Sequence, residues 1–126
     1  MKTEAQVLQE IRLEASRVGW RLWRNNVGVA FDANGRPVRY GLANDSAQLN
    51  QQIKSSDLIG IAPRVITPAD VGRTLGQFVA IEVKRQGWRP SAAGGREVAQ
   101  QRYIDTVVSL GGWGTIAQGV GDIWQR

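Results

Sequence analysis

Two short β-branched runs, each carrying a carboxylate, constrain this chain more than anything else in it. They read Ser56-Asp57-Leu58-Ile59-Gly60-Ile61 and Phe78-Val79-Ala80-Ile81-Glu82-Val83-Lys84. Each is long enough for one strand. Side chains alternate along a strand, so Glu82 and Lys84 fall on one side and Ile81 and Val83 on the other. A carboxylate and an amine in so apolar a strand are costly unless they pair with each other or with a metal. A second carboxylate arriving from another strand makes the pair a candidate Mg²⁺ site.

The rest of the composition narrows the chemistry. The chain has no cysteine and no histidine. That excludes disulfides, thiol nucleophiles, Cys/His zinc sites and histidine general bases. Carboxylates, Lys, Arg, hydroxyls, amides or a bound metal must do the work, and the pattern reads as that of a metal-dependent nuclease. A length of 126 residues predicts a single domain over 1–126. The net charge of +5 and a pI near 10.4 suit a polyanionic partner. Met1-Lys2-Thr3-Glu4 opens no apolar signal region and no run reaches transmembrane length, so a cytoplasmic protein with no membrane partner is expected.

The elements alternate between helix and strand. From Thr3 to Val18 the apolar positions Val7, Leu8, Ile11, Ala15 and Val18 form a helical stripe, with Thr3 and Gln6 spaced as a capping box and Gly19 as the stop. Trp20 to Asn25 reads as a strand. Phe31 to Tyr40 carries an Asn-Gly pair and reads as a hairpin or an excursion. Residues 43–56 read as a loop, and the Asp57 strand follows. Pro63 to Gly76 reads as a loop with one short strand at Arg64-Val65-Ile66, ahead of the Glu82 strand. Gly87 to Arg96 is a basic loop, Glu97 to Leu110 a helix ended by Gly111-Gly112, and Trp113 to Gln118 a last strand.

Two polar residues interrupt apolar helical stripes. Glu4 lies one turn before Val7 and Leu8, and Gln100 one turn before Ile104, in line with Val107 and Val108. Either they enter the protein near the strand ends, or Glu4 complements the helix dipole and Gln100 is a surface amide.

Together, Glu4, Trp23-Arg24-Asn25-Asn26, Ser56-Asp57-Leu58-Ile59-Gly60, Ile81-Glu82-Val83-Lys84, Gln100 with Tyr103-Ile104, and Gly111-Gly112 resemble the VRR-NUC domains of the PD-(D/E)XK nuclease superfamily. Such domains occur in small phage proteins and at the end of the Fanconi-associated nuclease. The resemblance runs from about Thr3 to Ala117. One departure is Lys54, where the family usually has a Gly three residues before its strand aspartate; it bears on the loop and not on the ligand. The resemblance implies an α/β fold with a restriction-endonuclease-like core, a central mixed sheet flanked by helices in the order α-β-β-β-α-β.

It also implies roles. Asp57 and Glu82 would bind Mg²⁺ or Mn²⁺, with the Val83 carbonyl as a further ligand and Glu4 joining through water or at a second metal position. A water acidified by the metal would attack the phosphorus. Lys84 would orient that water or offset developing charge, and Gln100 would hold the water or the ammonium in line. Read from the residues alone, Glu82 and Lys84 remain open to a purely structural ion pair.

Arg24, Asn25 and Asn26 end a strand near the expected site and suit phosphate positioning. Arg85, Trp88, Arg89 and Arg96 suit tracking of a DNA backbone with the indole stacked on a base or sugar; the other reading is solvated arginines and a Trp covering a core edge. Trp20, Trp23, Trp113 and Trp124 read as core or interface. Nothing matches a P-loop or a dinucleotide fingerprint, so no nucleotide cofactor is expected. The expected function is a metal-dependent DNA endonuclease selective for branched or junction-like DNA. Homodimerisation, and host cytoplasm if phage-encoded, follow from the resemblance. The alternatives are a non-catalytic nucleic-acid-binding module on the same fold, and a structural or adaptor protein.

Overall fold

A computed structural model describes residues 1–91 and 94–123. Trp124 lies outside them. The chain is mixed α/β and divides into two compact units, Met1–Gly60 and Ile61–Arg126. In chain order the elements are α1 (Glu4–Arg17), β1 (Arg21–Arg24), β2 (Gly28–Phe31), β3 (Pro37–Tyr40), α2 (Ala47–Gln52), β4 (Leu58–Ile61), β5 (Val79–Val83), α3 (Gly95–Ser109) and β6 (Trp113–Ala117).

In the first unit, α1 begins as the sequence predicts. Thr3 Oγ1 accepts from Gln6 N–H and Gln6 Oε1 accepts from Thr3 N–H, which satisfies two otherwise orphaned donors. Gly19, at φ +86°, ends the helix. The packed face of α1 is narrower than its apolar stripe: Ala15 is buried, while Val7 and Ile11 stay exposed. Strands β2 and β3 form an antiparallel hairpin from Gly28↔Tyr40 to Phe31↔Pro37. Its loop is not a two-residue Asn-Gly turn. Asp32 pairs with Arg36 across three residues, Gly35 takes φ +75°, and the Asp32 carboxylate accepts from Asn34 N–H and Arg36 N–H.

The stretch read as a loop over 43–56 contains α2. Ser46 caps it through Leu49 N–H, and Ala, Leu and Gln are good helix formers once capped. Strand β1 pairs with β4. The Asn25 amide donates to the Asp57 carbonyl at one end, and Arg21 lies against Gly60 at the other, so the two run antiparallel. Gly60 is required there, because a Cβ would collide with the Arg21 carbonyl.

In the second unit, no strand forms at Arg64-Val65-Ile66; Val65 and Ile66 are exposed. A 3-10 turn over Pro68–Asp70 takes its place. The buried Asp70 carboxylate holds that loop through Arg64 at 2.6 Å and Thr67 N–H at 3.0 Å. Strands β5 and β6 pair in parallel from Val79↔Trp113 to Val83↔Ala117, joined by α3. Helix α3 starts two residues before the expected Glu97 and seats Ile104 and Val107, both buried, on the pair. Glycines allow that approach: a Cβ at Gly112 would meet Val107 Cγ1 at 2.6 Å, and one at Gly114 would meet Ile104 Cγ2 at 2.9 Å. Gly112 is therefore a packing residue as well as the turn residue expected from sequence.

The described strands pair as β1–β4, β2–β3 and β5–β6, three two-stranded sheets. The expected order α-β-β-β-α-β is replaced by α-β-β-β-α-β-β-α-β, because the hairpin supplies two strands and α2 an extra helix.

Candidate active site

Strand β5 turns its charged side toward α3. The ladder to β6 is made by alternate residues: Phe78 carbonyl accepts from Trp113 N–H, and Lys84 N–H donates to the Ala117 carbonyl. By strand alternation, the backbone groups of Val79, Ile81 and Val83 face away from β6. The side chains divide as well. Glu82 and Lys84 are partly covered, whereas Val79, Ile81 and Val83 are exposed. This inverts the usual arrangement, in which a half-buried strand shows its polar face to water.

Gln100 makes the inversion tolerable. It sits on α3 one turn before Ile104, on the face that packs on the sheet. Its Oε1 accepts from Lys84 Nζ at 2.8 Å, and its Nε2 donates to Glu82 Oε1 at 2.8 Å. Lys84 and Glu82 stand 3.7 Å apart, with side chains 16% and 36% exposed. One amide thus joins two charges too far apart to hydrogen-bond each other. The Trp88 ring centroid lies 5.2 Å from Lys84 Nζ, within cation–π range.

Glu82 and Gln100 also line a cleft of about 510 Å³ between β5 and α3, shared with Arg96, Ala99, Tyr103 and Ile104. Tyr103 is 43% exposed, and partial desolvation on its covered side pushes its phenol above the ordinary value of 10.0. Glu82 Oε2 makes no hydrogen bond among the described residues, and the Val83 carbonyl lies on the edge of β5 away from β6.

The remaining candidates are distributed as follows. Asp57 belongs to the first unit, in a bend just before β4, with its carboxylate exposed and its carbonyl held by Asn25 N–H at 2.8 Å. The Asn25 side chain is occupied locally. It donates to Ser55 Oγ and the Ser56 carbonyl, both at 2.8 Å, and accepts from Leu42 N–H at 3.2 Å. Its amide therefore positions the loop that carries Asp57. Glu4 is exposed in the first turn of α1, where the helix dipole accommodates a carboxylate. Arg24, Asn26, Arg85, Arg89 and Arg96 are exposed, and Trp88 is half-buried. Sequence reasoning missed Gln118, whose amide grips the turn that carries Trp88. A glutamine one residue past a strand carries no signal of that contact.

Oxygen donors of this kind suit a hard divalent cation. Among the described residues, no group of three or more acidic side chains is poised to hold a metal ion. Mg²⁺, however, is commonly held by one or two carboxylates and keeps several waters. Glu82, whose second oxygen makes no hydrogen bond among the described residues, and the outward carbonyl of Val83 fit that mode. No helix among the described residues is long and apolar enough to cross a membrane. No protein-family model matches the chain, and no curated protein or solved structure matches it either.

Proposed function

We propose that this chain is a divalent-metal-dependent endonuclease that hydrolyses phosphodiester bonds in DNA, on a restriction-endonuclease-like core of the VRR-NUC kind. One observation carries the reading: β5 holds a carboxylate and an ammonium on its helix-covered face, bridged by Gln100, while its valines face outward. Stability alone does not call for this. Well-packed apolar residues at such positions are often as stabilising as a covered ion pair, or more so. A site that does chemistry needs charges kept in place beside a cleft, and the Gln100 bridge meets that need, which supports the reading.

Glu82 and the Val83 carbonyl would hold Mg²⁺ or Mn²⁺, and Asp57 and Glu4 enter the reading from the sequence pattern alone. When bound, the cation supplies Lewis-acid polarisation of the phosphodiester and a nucleophilic water near neutral pH. The chain's own residues do the rest. Lys84 keeps a fixed positive charge where negative charge develops on the phosphate, and its fixed position removes the cost of reorganising during the reaction. Gln100 fixes the direction of that ammonium and of the Glu82 carboxylate. Arg96 at the cleft, with Arg85 and Arg89, contacts the DNA backbone without reading bases, and Arg24 and Asn26 enter the reading from the sequence pattern alone. With no histidine in the chain, proton transfer falls to water and the carboxylates. Selectivity for branched DNA, a symmetric homodimer and a cytoplasmic location belong to the same proposal.

The test is incubation of the protein with supercoiled plasmid and branched oligonucleotides in Mg²⁺, Mn²⁺ or EDTA. Cleavage is expected with either metal and none with EDTA. Lys84→Ala should lower turnover on the order of a hundredfold, as for loss of one preorganised electrostatic group. Metal-independent cleavage, or none in any metal while DNA binding persists, would overturn the assignment; the second result is that of a non-catalytic binding module.

A further inference from the structure

We infer that Trp88 acts inward, as a positioning residue for Lys84 held in place by Gln118, and not as an exposed platform for a nucleic-acid base. The chain leaves β5 through a four-residue turn. Trp88 N–H donates to the Arg85 carbonyl at 3.1 Å, and Gly87, third in the turn, takes φ +82°. Ala43 is the one non-glycine described with positive φ, so Gln86 is ordinary and the turn is of type II. Such a turn folds the chain back on itself and returns Trp88 to the end of β5.

Gln118 fastens the turn. Its Oε1 accepts from Gly87 N–H and its Nε2 donates to the Trp88 carbonyl, both at 3.0 Å. Both ends of one amide are thus spent on consecutive residues. Gln118 follows β6 directly, and its own N–H donates to Asp122 Oδ2 at 2.8 Å. The turn that carries the indole is therefore held from the end of β6, and the ring centroid stands 5.2 Å from Lys84 Nζ. Gln100 holds the same ammonium at 2.8 Å. A lysine head otherwise sweeps a large volume on a flexible stem, and a catalytic charge that wanders is worth little. A base-stacking platform needs an open ring face; this ring is half-buried and sits against a cation.

The catalytic consequence rests on the nuclease reading, while the contact itself does not. The chain has three lysines, Lys2, Lys54 and Lys84, so lysine-selective isotope labelling gives three resolvable sets of side-chain signals. In the full-length protein, one set should lie upfield of the others through the indole ring current. It should stay there in Trp88→Phe, move part of the way back in Gln118→Ala, and rejoin the others in Trp88→Leu. With Mg²⁺ and plasmid, Trp88→Leu should lower kcat roughly three- to thirtyfold at unchanged KM, the range spanned by one cation–π contact. Trp88→Phe should recover most of it. Three undisplaced lysines in the parent protein would overturn the inference. So would a Trp88→Leu variant whose KM rises while kcat holds, which is the signature of a base platform. If the parent protein cleaves nothing with Mg²⁺ or Mn²⁺, the nuclease reading fails, and the lysine spectra still decide the contact. If Trp88→Leu does not fold, the Phe and Gln118→Ala spectra decide it.

Discussion

Replacing Gln100 with Leu removes the neutral group that joins the two charges of β5 while keeping most of its volume under α3. In the native protein that amide makes two hydrogen bonds of 2.8 Å, one to an ammonium and one to a carboxylate. A hydrogen bond with a charged partner nets about 1.5–3 kcal/mol. The Lys84 side chain is 16% exposed and that of Glu82 36%, so water replaces the amide more readily at Glu82 than at Lys84. The two charges, 3.7 Å apart, can also close on each other and recover part of the loss. The net destabilisation is then about 2–3 kcal/mol, below the sum of two full bonds. Because the chain forms two compact units, a single global unfolding curve would blur this, and native-state hydrogen exchange is the better assay. The Lys84 amide, bonded to the Ala117 carbonyl at 2.8 Å, should lose protection about 30- to 150-fold. Gln100→Glu keeps the acceptor for Lys84 but sets a like charge against Glu82, and should cost about as much. Less than a threefold change in exchange in both variants would refute the bridging argument, and with it the reason for the inverted strand.

Glu82→Gln or Asp57→Asn should abolish Mg²⁺-dependent cleavage while leaving circular dichroism and duplex binding nearly unchanged; near-normal cleavage by either variant would remove that residue from the site. The Arg89→Ala, Arg96→Ala double variant should bind unrelated duplexes more weakly and by similar factors. Its slope of log affinity against log salt, read by fluorescence anisotropy, should fall by roughly one to two units. Tyr103 should give a signature in alkali. Its phenol is pushed above 10.0 by partial desolvation, so the folded state holds its proton longer than the unfolded chain does. The stability from this group is complete below that value and is lost as the pH rises through the folded one. Phenolate absorbance of a Tyr40→Phe variant, in which Tyr103 is the one tyrosine left, should therefore rise at higher pH in the folded protein than in denaturant, and coincident titrations would count against the desolvation.

Much of this protein is local and legible in one dimension. The Thr3–Gln6 capping box, the stop at Gly19, and the alternation that puts Glu82 and Lys84 on one side need only neighbouring residues. The same holds for the stripe that puts Gln100 in register with Ile104 and Val107, since a helix repeats within a few positions. Where the local signal was misread, a cap decided the outcome: Ser46 turned an expected loop into α2. At Arg64-Val65-Ile66 a β-branched run stayed unpaired, because strand preference is mostly a preference for a pleated, half-buried surface that another segment must provide.

Partner choice belonged to the tertiary structure alone. Val79 pairs with Trp113, and nothing near either residue names the other. Which side of β5 faces the helix was likewise undecided by alternation, which separates the two faces and labels neither. The Gly112 and Gly114 contacts and the Gln100 bridge selected the charged face, against the polarity that composition alone would favour. Trp88 reads in sequence as part of a basic loop; it takes a Gly87 turn and a glutamine 30 residues farther on to turn it onto Lys84. Local rules set what each segment can be, while contacts distant along the chain set what each side chain touches, and so its chemistry.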